Sequence, residues 1–130
     1  MQMAKALIVD DSRTIRTILK RILLELGYEV CEAADGTEAL AVIDAEGTSV
    51  SLILTDWNMA EMDGLDLLEQ LRQNTELSLL KIITVTTETE LGRMVSALDA
   101  GANEYVMKPF TKDIVREKLE LSGIRSEVME

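Results

Sequence analysis

The chain has 130 residues, a formal net charge of −11 and 47% hydrophobic residues, which indicates one folded domain and disfavours disorder or nucleic-acid binding. Its single cysteine, Cys31, excludes an internal disulfide and favours a reducing compartment. The first apolar run is too short for a secretory signal, and none approaches the roughly 18 residues of a membrane span. We expect a cytoplasmic protein with neither a nucleic-acid nor a membrane partner.

Short apolar segments alternate with amphipathic segments along the whole chain. The first half reads as strand KALIVD, a helix stopped by Gly27, strand YEVCEA, a helix over about 37–45 and strand SLILTD. The second half reads as a helix over about 64–72, strand LKIITVT, a helix from about 91 to Gly101, strand EYVMK and a helix over about 111–121. The helices are predicted from apolar residues at i, i+3, i+4 and i+7. The stripes expected to face the core in the first and fourth helices are Ile15, Ile18, Leu19, Ile22, Leu23 and Leu26, and Leu91, Met94, Val95 and Leu98.

This alternation predicts a parallel sheet with helices on both faces. Strands one, three and four are continuous apolar runs, as central strands are, whereas strands two and five contain polar residues and suit the edges. The strand order 2-1-3-4-5 satisfies this pattern with right-handed crossovers and is that of flavodoxin-like, doubly wound (βα)5 folds. We expect one domain over residues 1–130, with its core at about 4–121 and no output domain.

Polar residues follow the ends of four predicted strands. Asp10 and Asp11 end the first strand, Asp56 the third, Thr86 the fourth and Lys108 the fifth. Taken singly, the acidic pair suits a helix cap, the threonine suits a strand and the lysine suits a solvated surface. In folds of this order, however, the carboxyl ends of the strands meet at the ligand-binding edge, where the strand order reverses. The convergence of all five residues therefore predicts a functional site.

The residue types at this edge indicate phosphoryl chemistry. Three clustered carboxylates repel one another unless a cation lies between them, and oxygen ligands without histidine suit Mg²⁺. An aspartate carboxylate can attack phosphorus, while Mg²⁺, Lys108 and the Thr86 hydroxyl can hold the phosphoryl oxygens. We therefore expect Asp56 to be the nucleophile.

The stretches LIVDDS, LILTDWNMAEMDG, ITVTTE and YVMKPF resemble the receiver domain of two-component response regulators. The likeness is strongest to stand-alone chemotaxis regulators of the CheY type, through DWNM, TTE and KPFT. It implies that Asp56 accepts a phosphoryl group from a sensor histidine kinase and that the protein is a switch rather than a turnover enzyme. It also implies that Asp10, Asp11, Asp56 and the backbone carbonyl of Asn58 bind Mg²⁺.

The resemblance further implies a set of switch residues around the phosphoacceptor. Thr86 would move toward the phosphoryl group, Lys108 would form an ion pair with it, and the Tyr105 ring would change rotamer. Asn58 and Glu88 would tune self-dephosphorylation. The Lys108–Pro109 bond would be cis.

One departure from the family pattern lies in the loop after the phosphoacceptor. Ala60 replaces the proline of the usual M-P-x-M-D-G, which removes a fixed backbone angle from that loop. We expect an effect on loop rigidity and metal affinity but none on the chemistry.

The charge distribution bears on the expected output face, formed by the fourth helix, fifth strand and fifth helix. Residues 1–90 hold 17 acidic and 7 basic residues, whereas residues 91–130 hold 7 and 6. A face without net negative charge can admit an acidic or amphipathic partner; solvated surface charge is the alternative. The partner implied by the resemblance is the flagellar motor switch or another effector, with a phosphatase as a further partner. The cations expected on this face are Arg93, Lys112, Arg116 and Lys118, with Lys108 at its margin.

Three other functions share part of this pattern. A phosphorelay intermediate, which passes its phosphoryl group to another protein's histidine, would use the same site residues. A phosphatase of the haloacid dehalogenase type also uses Asp, Mg²⁺, Thr and Lys, but its nucleophile follows the first strand in a D-x-D pattern, and here that strand ends D-D-S with no residues left for a cap domain. A flavodoxin-like electron carrier is disfavoured by 3% aromatic residues and by the lack of a Ser/Thr-rich phosphate loop after the first strand.

Overall fold

The computed structural model describes residues 4–56, 64–87 and 94–122. Its strands are β1 Lys5–Val9, β2 Glu29–Ala33, β3 Val50–Asp56, β4 Lys81–Thr86 and β5 Glu104–Met107. Its α-helices are α1 Arg13–Glu25, α2 Gly36–Glu46, α3 Gly64–Gln73, α4 Met94–Asp99 and α5 Lys112–Leu121. Short 3-10 turns at Gly47–Ser49 and Thr75–Leu77 precede β3 and β4. No helix within these ranges is both long and apolar enough to cross a bilayer.

The five strands form one parallel sheet in the order β2-β1-β3-β4-β5, which confirms the predicted fold. The order reverses between β1 and β3, where Val9 pairs with Thr55. The residues that immediately follow these two, Asp10 and Asp56, therefore leave neighbouring strands side by side.

Alternate residues of each central strand enter two separate cores, as the two-residue period of a strand requires. Leu7 and Val9 of β1 pack on one face with α2, α3 and α4. Ala6 and Ile8 pack on the other face with α1 and α5. Because both faces are covered, the middle of β1, β3 and β4 is mainly apolar. At the carboxyl edge β3 ends in Asp56 and β4 ends in Thr86.

Two predicted helix faces are wrong in detail. Ile18 of α1 is 43% exposed although its neighbours Leu19 and Ile22 are buried. In α4, Val95 is 62% exposed and Leu98 is also exposed, while Ala97 is 1% exposed and meets the core. Ala97 therefore takes the core position of α4, and the larger Val95 and Leu98 lie toward solvent. Leu91 lies outside the described residues.

Candidate functional site

Three carboxylates meet at the carboxyl edge of the sheet. One oxygen from each of Asp10, Asp11 and Asp56 lies within 4.8 Å of the others. Asp10 and Asp56 are 1% and 5% exposed, whereas Asp11 is exposed to solvent. The site is thus open on one side and buried on the other, as a position that admits both an ion and a phosphodonor must be.

Asp10 is held in place by the backbone on both sides of it. Its amide donates to Ala33 O of β2 at 3.1 Å, and its Oδ1 accepts from the Ser12 amide at 2.8 Å. Ser12 itself caps α1, since its hydroxyl accepts from the Ile15 amide at 3.2 Å. The helix cap is therefore Ser12, and the second oxygen of Asp10 remains directed toward the site.

That second oxygen provides a test of whether a cation fits. Asp10 Oδ2 is buried and makes no hydrogen bond within the described residues, and its nearest cation is Lys108 Nζ at 3.5 Å. Burial raises the pKa of Asp10, against the lowering effects of the Ser12 hydrogen bond and the Lys108 charge. A buried carboxylate oxygen without a hydrogen bond, beside two other carboxylates, is a donor set that suits Mg²⁺. The residues present therefore fit the expected ion.

Lys108 joins the carboxylates to β4. Its Nζ lies 3.5 Å from Asp56 Oδ1 as well as 3.5 Å from Asp10 Oδ2. Its amide donates to the carbonyl of Thr86, the buried last residue of β4, at 2.7 Å. The Lys108–Pro109 bond is cis, the isomer expected from the sequence. The structure thus brings five of the predicted residues to one edge: Asp10, Asp11, Asp56, Thr86 and Lys108.

Tyr105 lies on the edge strand β5, where it pairs in register with Thr84, two residues before Thr86 on β4. Its ring is partly buried, and Lys118 Nζ of α5 lies 4.3 Å from the ring centroid. The same ammonium lies 3.5 Å from Glu104 Oε1. Lys118 is therefore engaged in a cation–π contact and an ion pair at once.

The other predicted output-face cations on described residues are also paired. Lys112 lies 3.4 Å from Glu25 of α1, and Arg116 lies 2.9 Å from Asp113 one helical turn away. Pairing leaves this face close to neutral rather than strongly basic. The predicted residues Asn58, Glu88 and Arg93, and also Trp57 and Ala60, lie outside the described residues.

One contact of the site was not predicted from the sequence. Arg16 of α1 donates from Nη1 to the backbone carbonyl of Asp10 at 2.6 Å and from Nε to Glu32 Oε1 of β2 at 3.1 Å. Helical periodicity places Arg16 on α1 but carries no information on a contact with the end of β1. The only available signal was an arginine one turn into the helix that follows an acidic pair.

Comparisons with known proteins agree with this geometry. The chain is 46% identical to chemotaxis protein CheY1 of Helicobacter pylori over 118 residues, which is 90% of this chain and 94% of that protein. It is 42% identical to chemotaxis protein CheY of Pseudomonas aeruginosa over 117 residues, covering 89% of this chain and 93% of that protein. Among solved structures, chemotaxis response regulator CheY4 of Vibrio cholerae matches with a TM-score of 0.83 and 35% identity, covering 93% of this chain and 99% of that one.

The family comparison covers nearly the same span of the chain. Residues 6–120 match the family model described as the response regulator receiver domain. That span contains the acidic pair, the mid-chain aspartate, the threonine at the end of β4 and the lysine after β5. The chain therefore belongs to the response regulator receiver domain family, with relatives among the CheY chemotaxis proteins.

Proposed function

We propose that this protein is a phosphorylation-activated signalling switch in which Asp56 accepts a phosphoryl group from a sensor histidine kinase. The observation that carries the proposal is the cluster of Asp10, Asp11 and Asp56, with oxygens within 4.8 Å and Lys108 beside it. Such a site has a carboxylate, Asp56, that can act as the nucleophile. It also has a cation, Lys108, that can stabilise negative charge on the phosphoryl oxygens. Membership of the receiver family supports the same reading.

The chemical step follows from the position of Asp56 at the end of β3. A carboxylate oxygen of Asp56 attacks the phosphorus of a phosphohistidine, an O–P bond forms and the N–P bond breaks. The departing imidazole nitrogen keeps the electron pair and takes up a proton. Lys108, already 3.5 Å from Asp56, offsets negative charge on the phosphoryl oxygens.

The cation would be held by Asp10, Asp11, Asp56 and the backbone carbonyl of Asn58. When bound, Mg²⁺ supplies neutralisation of the carboxylates and of the transferred phosphoryl group. The residues of the chain fix where that charge sits, because Asp10 is anchored by Ala33 and Ser12.

The signal would leave the site through Thr86 and Tyr105. Thr86 lies at the end of β4, and Tyr105 lies on the neighbouring strand β5. Movement of Thr86 toward the phosphoryl group vacates space into which the Tyr105 ring turns, and the surface of α4, β5 and α5 changes. This change is a population shift, so the unphosphorylated protein binds its partner weakly rather than not at all.

A role in chemotaxis is supported by relatives that are named chemotaxis proteins. In this role the partner on the α4–β5–α5 surface is the flagellar motor switch. The exposed Val95 and Leu98 of α4 supply apolar area there, next to paired rather than free charges. A phosphorelay intermediate would use the same site but would return its phosphoryl group to a histidine phosphotransfer protein.

The proposal is tested by measuring intact mass after incubation with acetyl phosphate. We expect one added phosphoryl group in Mg²⁺, none in EDTA, and none in Asp56→Asn. Asp113→Asn, which removes an exposed carboxylate of α5, is the matched control and retains labelling. Equal labelling of Asp56→Asn, or labelling that is insensitive to EDTA, contradicts the proposal.

A further inference from the structure

Arg16 links three consecutive elements beside the carboxylate cluster. Its guanidinium lies on α1, donates to the carbonyl of Asp10 at the end of β1 and donates to Glu32 on β2. Its side chain is largely covered. At 2.6 Å, the bond to the Asp10 carbonyl is short for an N–H···O contact, as charge-assisted hydrogen bonds are.

The Asp10 carbonyl belongs to the peptide unit that joins Asp10 to Asp11. Fixing that oxygen fixes the plane of the peptide, and with it the direction in which the Asp11 residue leaves β1. The Asp10 amide and Oδ1 are already held by Ala33 and Ser12. Arg16 therefore supplies the restraint on the far side of Asp10, toward the solvent-exposed Asp11.

The charge of Arg16 and its hydrogen bonds have opposite effects on the affinity for Mg²⁺. A positive charge near three carboxylates weakens the binding of a cation, so its removal would tighten Mg²⁺ binding. Glu32 Oε1 lies 3.1 Å from Arg16 Nε and offsets part of that charge, although Glu32 also pairs with Lys20 at 3.6 Å. The geometric effect and the electrostatic effect thus predict changes of opposite sign, which makes them separable.

We propose that Arg16 is a positioning residue for the metal site, which holds the peptide between Asp10 and Asp11 so that both carboxylates face the same cation. The inference rests on the proposed Mg²⁺ site. The proposal gives α1 a part in ion binding: Arg16 orients the ligands, whereas the carboxylates and the Asn58 carbonyl would bind the ion.

The test is a calorimetric titration of folded protein with Mg²⁺, below the melting temperature and without any phosphodonor. Loss of a residue that orients metal ligands typically weakens affinity by about tenfold or more, and we expect about tenfold weaker binding in Arg16→Met. Arg16→Lys keeps the charge but not the two-pronged contact, so it reports the geometric effect alone, and its affinity should also be weaker than that of the wild type. Because the expected defect is in Mg²⁺ affinity, both variants should need more Mg²⁺ than the wild type for phosphorylation by acetyl phosphate.

Arg72 provides a matched control at the amino edge of the sheet. Its guanidinium likewise donates to backbone carbonyls, those of Gly101 at 3.0 Å and Leu77 at 3.2 Å. Arg72→Met should lower the melting temperature and leave the Mg²⁺ affinity unchanged.

Wild-type Mg²⁺ affinity in Arg16→Lys overturns the positioning role, because the two-pronged contact is then lost without effect while the charge is kept. Binding by Arg16→Met that is tighter than wild type overturns it as well, because only the effect of the charge is then seen. Absence of Mg²⁺ binding by the wild type, or undiminished binding by Asp56→Asn, instead contradicts the proposed function itself.

Discussion

Asp10 is the most confined of the three carboxylates, and its confinement has a measurable energetic consequence. Burial raises its pKa, so the folded chain binds the proton more tightly than the unfolded chain does. Without metal, stability therefore falls as pH rises from the ordinary aspartate value of 3.8 through the raised value. At neutral pH the ionised form opposes folding unless a metal ion is bound, because Lys108 alone does not offset the effect of burial.

Asp10→Asn should consequently raise the melting temperature in EDTA at neutral pH; for a chain of this size each kcal/mol recovered corresponds to roughly 3–6 °C. The amide oxygen of asparagine can still accept from the Ser12 amide. The gain should shrink as the pH is lowered toward 4, because the aspartate then protonates. Calorimetry gives the melting temperatures of Asp10→Asn and of the exposed control Asp113→Asn. Equal changes in the two melting temperatures would show that the burial of Asp10 has no specific effect.

Asn58 and Glu88 are expected to control the lifetime of the phosphorylated state. Hydrolysis requires water to attack the phosphorus as the O–P bond to Asp56 breaks, which releases inorganic phosphate. A bulky apolar residue at either position should obstruct that water and slow the decay. The decay of phosphorylated Asn58→Leu and Glu88→Leu, followed by intact mass after the phosphodonor is removed, measures the effect. Wild-type decay in both variants would exclude these positions from the mechanism.

At the scale of the elements, the sequence predicts those features that depend on the period of the apolar residues and on the order of strands and helices. The alternation of apolar runs with helical stripes determines the sheet order, and the polar residues at strand ends determine where the site lies. It does not predict which face of α4 is buried, because Ala97 competes with Val95 and Leu98 and only the packing distance decides. It also does not predict the Arg16–Asp10 and Lys118–Tyr105 contacts, since each joins side chains of different elements.

The connection between α4 and β5 depends on one glycine and one arginine. Gly101 has φ +117°, and an added Cβ would lie 2.7 Å from Arg72 Cγ. Gly101→Ala should therefore cost about 2–3 kcal/mol in the free energy of unfolding, from backbone strain plus the displaced side chain. Gly47, with φ +58° and no atom within 4 Å of an added Cβ, is the control for strain alone.

Gly47, with ψ −138°, also has a conformation that suits glycine, so Gly47→Ala should cost about 1–2 kcal/mol from strain without any contact. Denaturant unfolding of both variants gives the comparison. In an Arg72→Ala background, which removes the Cγ, Cδ and Nε atoms that the added Cβ would meet, the extra cost of Gly101→Ala should largely disappear. An equal cost for the two glycines would mean that the Arg72 contact adds nothing.

At the scale of the whole molecule, Lys118 lies on the expected output face and contacts the ring of Tyr105, the expected switch residue. Lys118→Glu should impair phosphorylation-dependent binding to the motor switch, because it removes the cation from the Tyr105 ring and places a carboxylate beside Glu104. Phosphorylation at Asp56 should be unaffected. Binding of the wild type should weaken with added salt, as an electrostatic contribution does.

Arg116→Glu is the informative companion, because among the described residues Arg116 forms its ion pair with the exposed Asp113 of its own helix. We expect a smaller loss of affinity than in Lys118→Glu. Fluorescence anisotropy of a labelled motor-switch peptide, with and without acetyl phosphate, measures both. Unchanged affinity in the two variants would make these cations ordinary solvated charges.

The carboxylates and their lysine come from distant parts of the chain, since Lys108 lies 52 positions after Asp56. No local segment therefore holds the complete candidate site, because the parallel pairing of β1, β3, β4 and β5 must be in place before the groups meet. If Asp56 is the phosphoacceptor, as proposed, a truncated or partly unfolded copy can neither accept the phosphoryl group nor compete for the supply of it. The long-range construction of the site would then restrict the signal to molecules that have finished folding.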